Sequence, residues 1–309
     1  MEKLVIIDGN AIVHRAFHAL PPMNREDGKP TNAVYGFFTM LLKLLNDLKP
    51  QFLIVCFDRP KPTFRKQMYV GYQAKRPKMS DDLVPQIDLL HKALEKAKIE
   101  HFEIDGYEAD DIIGTVAKQS FEKGLRTIIV SGDRDMLQLV NDRVLVLAPI
   151  SGITKMALFD EVKVKEKYGL KPAQFIDYKA LVGDSSDNYP GVTGIGPKTA
   201  SGLLNKYGTF ENLYAHISEL PENLSSKLAV DAEQAAMAKK LATIVTDAPV
   251  KFDLDKAEIK KIDQLGLSQA FKDLGFKSLM GRVIAKDVQI EKPKAKEAKK
   301  ETSDQLNLL

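Results

Sequence analysis

The amino-acid sequence predicts an α/β fold, with a mostly parallel central sheet flanked by helices and an all-helical second lobe. Three observations support this prediction. Short apolar runs alternate with amphipathic helical stretches in the first half of the chain, as in a parallel sheet covered on both faces. Acidic residues follow the first four of these runs. Strand patterns end near Asp160, and only helical patterns continue beyond it.

Five strands are predicted, at residues 3–7, 52–57, 101–104, 126–131 and 143–148. The carboxyl ends of parallel strands share one edge of a sheet, and open α/β folds bind their ligands outside that edge. Turn chemistry explains a single aspartate at a strand end, but not the delivery of acids by four successive strands. The acids concerned are Asp8, Asp58, those of the stretch Glu108–Asp111, and Asp133 with Asp135.

Helices are predicted between the strands and throughout the second half of the chain. Those of the sheet region are a stretch containing Arg15, a helix from Asn32 to about Leu48, residues 81–98, and a helix after the acidic stretch. Those of the lobe are 160–168, 172–183, 198–207, 209–217, 221–230 and 232–246. The boundary is placed near 160–170, which gives predicted domains at 1–165 and 166–286. The lysine-rich tail, 287–309, is expected to be disordered because it has little apolar surface to bury.

The composition is that of a globular protein, with 44% hydrophobic and 28% charged residues and no tryptophan. Its length of 309 residues suits two domains. Cys56 is the single cysteine, so no internal disulfide can form, and neither CxxC nor HExxH occurs. No apolar stretch approaches the roughly 18 residues of a membrane span. We therefore expect a soluble, cytoplasmic protein, whose net charge of +3 does not identify a partner.

The acidic stretch Glu108-Ala109-Asp110-Asp111 precedes a helical pattern, so its carboxylates suit the positive end of a helix dipole. Asp184 and Asp187, after the helix 172–183, add two more acids. A cluster of carboxylates alone favours Mg²⁺ or Mn²⁺, and so many acids suit two or more ions that activate a water for phosphodiester cleavage. A solvated acidic rim is the alternative. The predicted metal ligands are Asp8, Asp58, Glu108, Asp110, Asp111, Asp133, Asp135, Asp184 and Asp187.

A glycine-rich turn followed by a helix occupies residues 191–207. The turn enters the helix through Pro197 and exposes backbone N–H groups at the positive helix end, which suits a phosphate oxygen. Its spacing is not that of a nucleotide P-loop, and a purely structural turn is the alternative. Contact with phosphates alone implies binding that is independent of base sequence. The expected contact residues are Gly194, Ile195, Gly196, Lys198 and Thr199.

Residues 59–79 carry seven lysines or arginines and no acid. Arg65, Tyr72 and Arg76 share one face if this segment is helical. Such a face suits a single nucleic-acid strand, because cations bind its phosphates and a ring stacks on its bases. A solvated basic loop is the alternative. Lys66 and Lys75 are further candidates for DNA contact.

Several motifs together resemble the 5′ nuclease (flap endonuclease) family, and in particular the N-terminal 5′–3′ exonuclease domain of bacterial DNA polymerase I. The resemblance covers roughly residues 3–285 and rests on IIDGNAIVHRAFHAL, TNAVYGFF, FDRPKPTFR, YEADDIIGT, SGDRDMLQL and GDSSDNYPGVTGIGPKTA. It implies a PIN-like nuclease domain with a helical arch at about 59–80. It also implies a helix-hairpin-helix lobe, with its motif at 191–207, that grips duplex DNA and often binds K⁺.

The resemblance also implies roles for single residues. One metal ion is expected near Asp8, Asp58, Glu108 and Asp110, and a second near Asp133, Asp135, Asp184 and Asp187, with Asp111 beside them. The basic positions that handle the scissile phosphate and the arch are matched by Arg15, Arg65 and Arg76, and an arch tyrosine is matched by Tyr72. One departure is Gln73, where the bacterial pattern has lysine. Lys75 is nearby, but two residues along a helix point about 200° apart.

The last residues of the chain add a candidate partner. Gln305, Leu306, Leu308 and Leu309 resemble the peptide through which bacterial replication proteins dock on the sliding clamp. Apolar residues at the end of a lysine-rich tether bury nothing unless a partner receives them.

Three functions are considered. The main hypothesis is a monomeric, Mg²⁺- or Mn²⁺-dependent nuclease that cleaves DNA where a duplex meets a 5′ flap or nick, in primer removal and repair. A DNA-binding scaffold recruited by the clamp, weakly active or inactive, is the second hypothesis, and Gln73 favours it. A metal-dependent ribonuclease is the third, and the GIGPKTA hairpin argues against it.

Overall fold

The computed structural model describes residues 1–153 and 155–287, so the candidate clamp peptide at 305–309 lies outside the described residues. The strands of its central sheet are β1 (Lys3–Asp8), β2 (Phe52–Cys56), β3 (His101–Phe102), β4 (Arg126–Val130), β5 (Val144–Ser151) and β6 (Lys155–Phe159). They lie in the order β3-β2-β1-β4-β5-β6. The first five are parallel, as predicted, and β6, which was not predicted, runs antiparallel to β5 at the edge.

Helices join and follow the strands. Those of the sheet region are α1 (Gly9–Ala19), α2 (Asn32–Leu48), α3 (Phe64–Met68), α4 (Val84–Lys96) and α5 (Ala109–Glu122). After β6 come α6 (Glu161–Tyr168), α7 (Phe175–Val182), a hairpin of β7 (Gly183–Asp184) and β8 (Tyr189–Pro190), α8 (Pro197–Tyr207), α9 (Phe210–Ala215), α10 (Glu222–Val230), α11 (Ala232–Ala242), α12 (Leu254–Ala257), α13 (Gln264–Asp273) and α14 (Lys277–Asp287). Among the described residues, no helix combines the length and apolar character that crossing a bilayer requires.

The sheet separates two hydrophobic cores. Successive side chains of a strand point to opposite faces, so Leu4 and Ile6 of β1 pack in the core that contains α5. Val5 and Ile7 pack in the core that contains α2. All four side chains are at most 1% exposed. Coverage on both faces explains why the strands are continuous apolar runs, and it leaves the carboxyl edge of the sheet for a site.

The last two helices return to the sheet domain. Phe271 of α13 packs edge-on against Phe38 of α2, with ring centroids 5.0 Å apart, and both side chains are fully buried. Leu279 of α14 lies in the same core. The predicted helical lobe, 166–286, therefore extends too far at its C-terminal end. A sequence pattern that identifies a helix does not show which core receives its apolar face.

The predicted arch at 59–80 is not one helix. Only Phe64–Met68 is helical, and turns follow it. Gln73 has φ 55°, in the left-handed region, and its backbone N donates to the carbonyl of Asp187 at 2.8 Å. This contact with the turn between β7 and β8 is formed only in the folded chain, so local sequence could not reveal it.

Candidate metal centre and DNA-binding surfaces

A first group of carboxylates lies at the ends of β1 and β2 and at the start of α5. Its members are Asp8, Asp58, Glu108 and Asp110. Asp8 is 4% exposed, and its oxygens accept hydrogen bonds from the backbone N of Ala11 at 2.9 Å and from Ser131 Oγ at 2.6 Å. These contacts begin α1 and tie β1 to the end of β4. Burial raises the pKa of Asp8 to about 7, and the charges of Asp58 and Asp133 add to the effect.

The start of α5 brings further acids to the same place. Asp58 Oδ1 accepts a hydrogen bond from the backbone N of Ala109 at 2.7 Å, which holds the first turn of α5 beside β2. Burial raises the pKa of Asp110 well above its usual range, and the charges of Asp133, Asp8 and Asp58 raise it further. Like charges this close repel one another, so a bound cation would stabilise the ionised group.

Glu108 links these acids to residues 59–79, the basic segment. Its Oε1 accepts a hydrogen bond from Thr63 Oγ1 at 3.0 Å, and its Oε2 accepts one from the hydroxyl of Tyr72 at 3.1 Å. Arg65 Nη1 lies 3.5 Å from the same Oε2. Burial raises the pKa of Glu108, although the charge of Arg65 opposes the shift. The Glu108 carboxylate therefore lies between the other acids of the first group and the basic segment.

A second group of carboxylates consists of Asp135, Asp184 and Asp187, each with an oxygen within 4.8 Å of the others. Asp135 begins a single turn of 3₁₀ helix after β4, whereas Asp184 ends β7 and Asp187 lies in the turn before β8. Asp133 connects the two groups, because its Oδ1 accepts a hydrogen bond from the backbone N of Asp135 at 2.8 Å. The sheet and the lobe thus each supply part of one acidic site.

Lys179 lies inside the second group and was not among the predicted site residues. Its Nζ is 2.5 Å from Asp135 Oδ1 and also contacts Asp184 Oδ2. Burial raises the pKa of Asp135 to about 6 in spite of this lysine. Burial also acts to raise the pKa of Asp184, but hydrogen bonds from Lys179 and Ser186 hold it below its usual value. Only the folded chain places Lys179, from α7, against Asp135.

Asp111, another predicted metal ligand, makes contacts of a different kind. It is fully buried and forms a paired salt bridge with Arg65, with both N–O distances at 2.7 Å. Its oxygens also accept hydrogen bonds from the backbone N of Glu108 at 3.1 Å and of Val245 at 2.9 Å. Four donors saturate this carboxylate. The prediction that Asp111 binds metal is therefore corrected to a structural ion pair.

The basic segment closes over the second group. Arg76 Nη2 lies 2.6 Å from Asp187 Oδ1, and the hydroxyl oxygen of Tyr72, whose single hydrogen is shared between Glu108 and Asp187, lies 3.3 Å from Asp187 Oδ2. Tyr72 is 3% exposed and its ring lies parallel to that of Tyr189, at 6.4 Å between centroids. Stacking of Tyr72 on a DNA base would require it to leave this position. Arg76 is half exposed.

The other predicted basic residues lie apart from the carboxylates. Arg15 Nε donates to the carbonyl of Gly152 at 2.8 Å, in the loop between β5 and β6. Lys66 and Lys75 are exposed. His14, which was not a predicted site residue, is close enough to Asp58 for the charge of that carboxylate to act on the pKa of the imidazole. Burial is the larger effect and lowers the pKa of His14.

The glycine-rich turn adopts the conformation that its sequence requires. Gly194 has φ 76°, which favours glycine, and Ile195 is 4% exposed and anchors the turn in the core. Gly196 precedes the first turn of α8, so backbone N–H groups are presented at the positive helix end. Lys198 is exposed beside them and Thr199 is half-buried. A second cation approaches from α10, since Lys227 Nζ lies 3.5 Å from the carbonyl of Gly194.

Comparisons with known proteins match both parts of this architecture. A family model described as "5'-3' exonuclease, N-terminal resolvase-like domain" matches residues 3–169. A second, described as "5'-3' exonuclease, C-terminal SAM fold", matches residues 170–265. The chain is 39% identical over 283 residues to the 5′–3′ exonuclease of Aquifex aeolicus, covering 92% of this chain and 96% of that protein.

Longer relatives and solved structures also match. The chain is 41% identical to DNA polymerase I of Bacillus subtilis over 297 residues, which is 96% of this chain and 34% of the polymerase. The chain thus spans about a third of the length of this relative. A structure of the bacteriophage T5 5′-exonuclease with bound zinc ions superimposes with a TM-score of 0.65 at 24% identity, covering 89% of this chain and 99% of the phage chain. That likeness confirms the fold.

Proposed function

Because the chain belongs to the 5′–3′ exonuclease family, we propose that it is a divalent-metal-dependent, structure-specific 5′ nuclease. Its substrate is DNA in which a duplex meets a 5′ single strand or a nick, and cleavage leaves a 5′-phosphate. The observation that carries this proposal is that two groups of carboxylates, joined through Asp133, lie against the basic segment 59–79. Removal of RNA primers and of flaps during repair is the proposed role.

The donor atoms suit hard divalent cations. Both carboxylate groups offer oxygen ligands, which Mg²⁺ and Mn²⁺ prefer. The first group has raised carboxylate pKa values, and the second already holds a cation in the form of Lys179, so both attract positive charge. Bound ions would activate a water and stabilise the leaving oxygen. Asp8, Asp58, Glu108 and Asp110 would hold one ion, and Asp133, Asp135, Asp184 and Asp187 a second.

The remaining side chains bind and orient the DNA. Exposed Lys198 and the N–H groups at the start of α8 hold a phosphate of the duplex, independently of base sequence. Arg76, half exposed at the edge of the second group, exchanges Asp187 for the phosphate next to the cleaved bond. Lys66 and Lys75 add exposed charge along the path of the single strand. Binding of K⁺ at the hairpin turn remains part of the proposal.

The C-terminal peptide is proposed to bind the sliding clamp. This proposal rests on the sequence of Gln305, Leu306, Leu308 and Leu309. A clamp would localise the nuclease at replicated DNA. Pull-down of purified clamp by the full chain, and its loss after deletion of residues 305–309, is the expected result. Equal recovery with and without the peptide would contradict it.

A substrate panel tests the proposed function. A 5′-flap duplex, a nicked duplex, blunt duplex DNA, single-stranded DNA and single-stranded RNA are incubated with the protein and Mg²⁺ or Mn²⁺. We expect cleavage of the flap and nicked DNA in preference to the others, with products that carry a 5′-phosphate. Binding of the flap without cleavage would favour a scaffold. Preferential cleavage of single-stranded RNA would favour a ribonuclease.

A further inference from the structure

The feature that the proposed reaction does not use is the ammonium group of Lys179. It lies between Asp135 Oδ1, at 2.5 Å, and Asp184 Oδ2. Its side chain is only 19% exposed, so the contact is shielded from solvent. Lys179 lies in the middle of α7, which runs from Phe175 to Val182.

The two carboxylate groups differ in how their charge is balanced. In the first group, Asp8, Asp58 and Asp110 form no salt bridge with any residue that the structure describes, and Glu108 lies 3.5 Å from Arg65 Nη1. In the second group, three carboxylates face two cations, because Lys179 bridges Asp135 and Asp184 while Arg76 binds Asp187. Three acids of the first group thus have no salt-bridge partner among the described residues, whereas the second group already holds an ammonium group between two of its carboxylates.

We propose that Lys179 is the resident cation of the second metal position and that a divalent ion binds there only by displacing its ammonium group. The inference rests on the proposed metal-dependent function. A divalent ion and an ammonium group cannot share the same two oxygens. Their positive charges would lie within a few ångströms of each other in a partly desolvated site and would repel strongly. Ion binding is consequently ordered, with the first group filled before the second.

Lys239 provides a matched control for this proposal. It also bridges two carboxylates, with Nζ 2.7 Å from Asp177 Oδ1 and 2.6 Å from Glu211 Oε1. Neither of these acids belongs to the carboxylate groups of the site. Replacing Lys239 removes the same charge and the same kind of ion pair, but it does not empty a metal position.

The test measures Mn²⁺ binding to the full chain without DNA. The electron paramagnetic resonance signal of free Mn²⁺ reports how much of the ion remains unbound. We expect the wild-type protein to bind one ion tightly and a second only at much higher concentration. Lys179→Met is expected to strengthen binding of the second ion by about 10–100-fold, the range over which groups that contact metal ligands alter metal affinity. Lys179→Arg, which keeps the charge, and Lys239→Met are expected to bind as the wild type does.

Each other outcome decides the question. Unchanged or weaker binding of the second ion by Lys179→Met would overturn the inference, as would an equal gain in Lys239→Met, which would indicate a general effect of charge. Lys179→Gln retains a hydrogen-bond donor and gives the same comparison if Lys179→Met does not fold, as checked by circular dichroism. If neither the wild type nor these variants bind any Mn²⁺, the proposed metal-dependent function itself is wrong.

Discussion

Two adjacent aspartates at the start of α5 are predicted to respond to the same substitution in opposite ways. Asp111 is fully buried and paired with Arg65, which is 2% exposed and also donates to the carbonyls of Leu241 and Thr243 at 2.9 and 2.8 Å. Burial raises the pKa of Asp110, and the charges of the surrounding acids raise it further. Asparagine at position 111 removes one half of a buried ion pair, whereas asparagine at position 110 relieves repulsion.

The magnitudes follow from these contacts. Breaking a buried pair by removing one partner costs about 3–5 kcal/mol. For a chain of this length that lowers the unfolding midpoint by roughly 5–8 °C. Asp110→Asn is expected to leave the stability of the metal-free protein unchanged or higher, because it removes a charge that its neighbours disfavour. Divalent-ion affinity is expected to fall in Asp110→Asn and to remain near the wild-type value in folded Asp111→Asn.

Thermal unfolding in EDTA and Mn²⁺ binding at 20 °C measure both quantities on the same three proteins. Arg65→Met combined with Asp111→Leu serves as a further control, because replacing both charges leaves neither unpaired and is expected to recover part of the lost stability. The reasoning is refuted if Asp111→Asn keeps its stability but loses metal binding. That result would restore Asp111 to the ligand set.

Three further predictions concern pH, the hairpin turn and DNA affinity. In EDTA the free energy of unfolding is expected to decrease as pH rises from about 4 to about 7. Asp8 and Asp135 have pKa values of about 7 and about 6 in the folded protein, above the ordinary value of 3.8. The folded protein therefore binds more protons than the unfolded chain in this range and loses stability as they dissociate. Urea unfolding at several pH values should show a smaller decrease in the free energy of unfolding for Asp8→Asn than for the wild type. An equal decrease would argue against a raised pKa at Asp8. Gly194→Ala should lower the free energy of unfolding by about 1–2 kcal/mol, because φ is 76°; Gly196→Ala, where a Cβ meets nothing within 4 Å, should not. Lys198→Ala should weaken binding to all duplex sequences alike and reduce the slope of log K against log salt by about 0.9, and a change confined to one sequence would contradict phosphate contact.

The sequence predicted the features that recur locally along the chain. Asp8 and Asp58 each follow an apolar strand, and the rule that parallel strands share a carboxyl edge places them together. The glycine-rich sequence indicated a turn at Gly194. The turn needs a left-handed backbone there, which glycine adopts readily. These patterns depend on a few neighbouring residues, so they can be recognised without knowledge of the fold.

The features that the sequence did not predict depend on contacts between distant segments. Lys179 and Asp135 are 44 positions apart, and nothing in either segment indicates that they meet. Asp111 could not be separated from Asp110 by type or spacing, because its partner Arg65 comes from the basic segment. Gln73 takes a left-handed backbone that its own side chain disfavours, since a hydrogen bond to Asp187 holds it there.

We propose that the acids at the carboxyl edge of the sheet cleave flap DNA with the help of divalent ions. The most direct measurement compares the wild type with Asp110→Asn on a 5′-labelled flap duplex, in Mg²⁺ and in EDTA, with DNA binding followed in parallel. We predict that only the wild type in Mg²⁺ releases the flap, and that Asp110→Asn still binds the duplex. Cleavage by the wild type in EDTA, or undiminished cleavage by Asp110→Asn, would contradict the account.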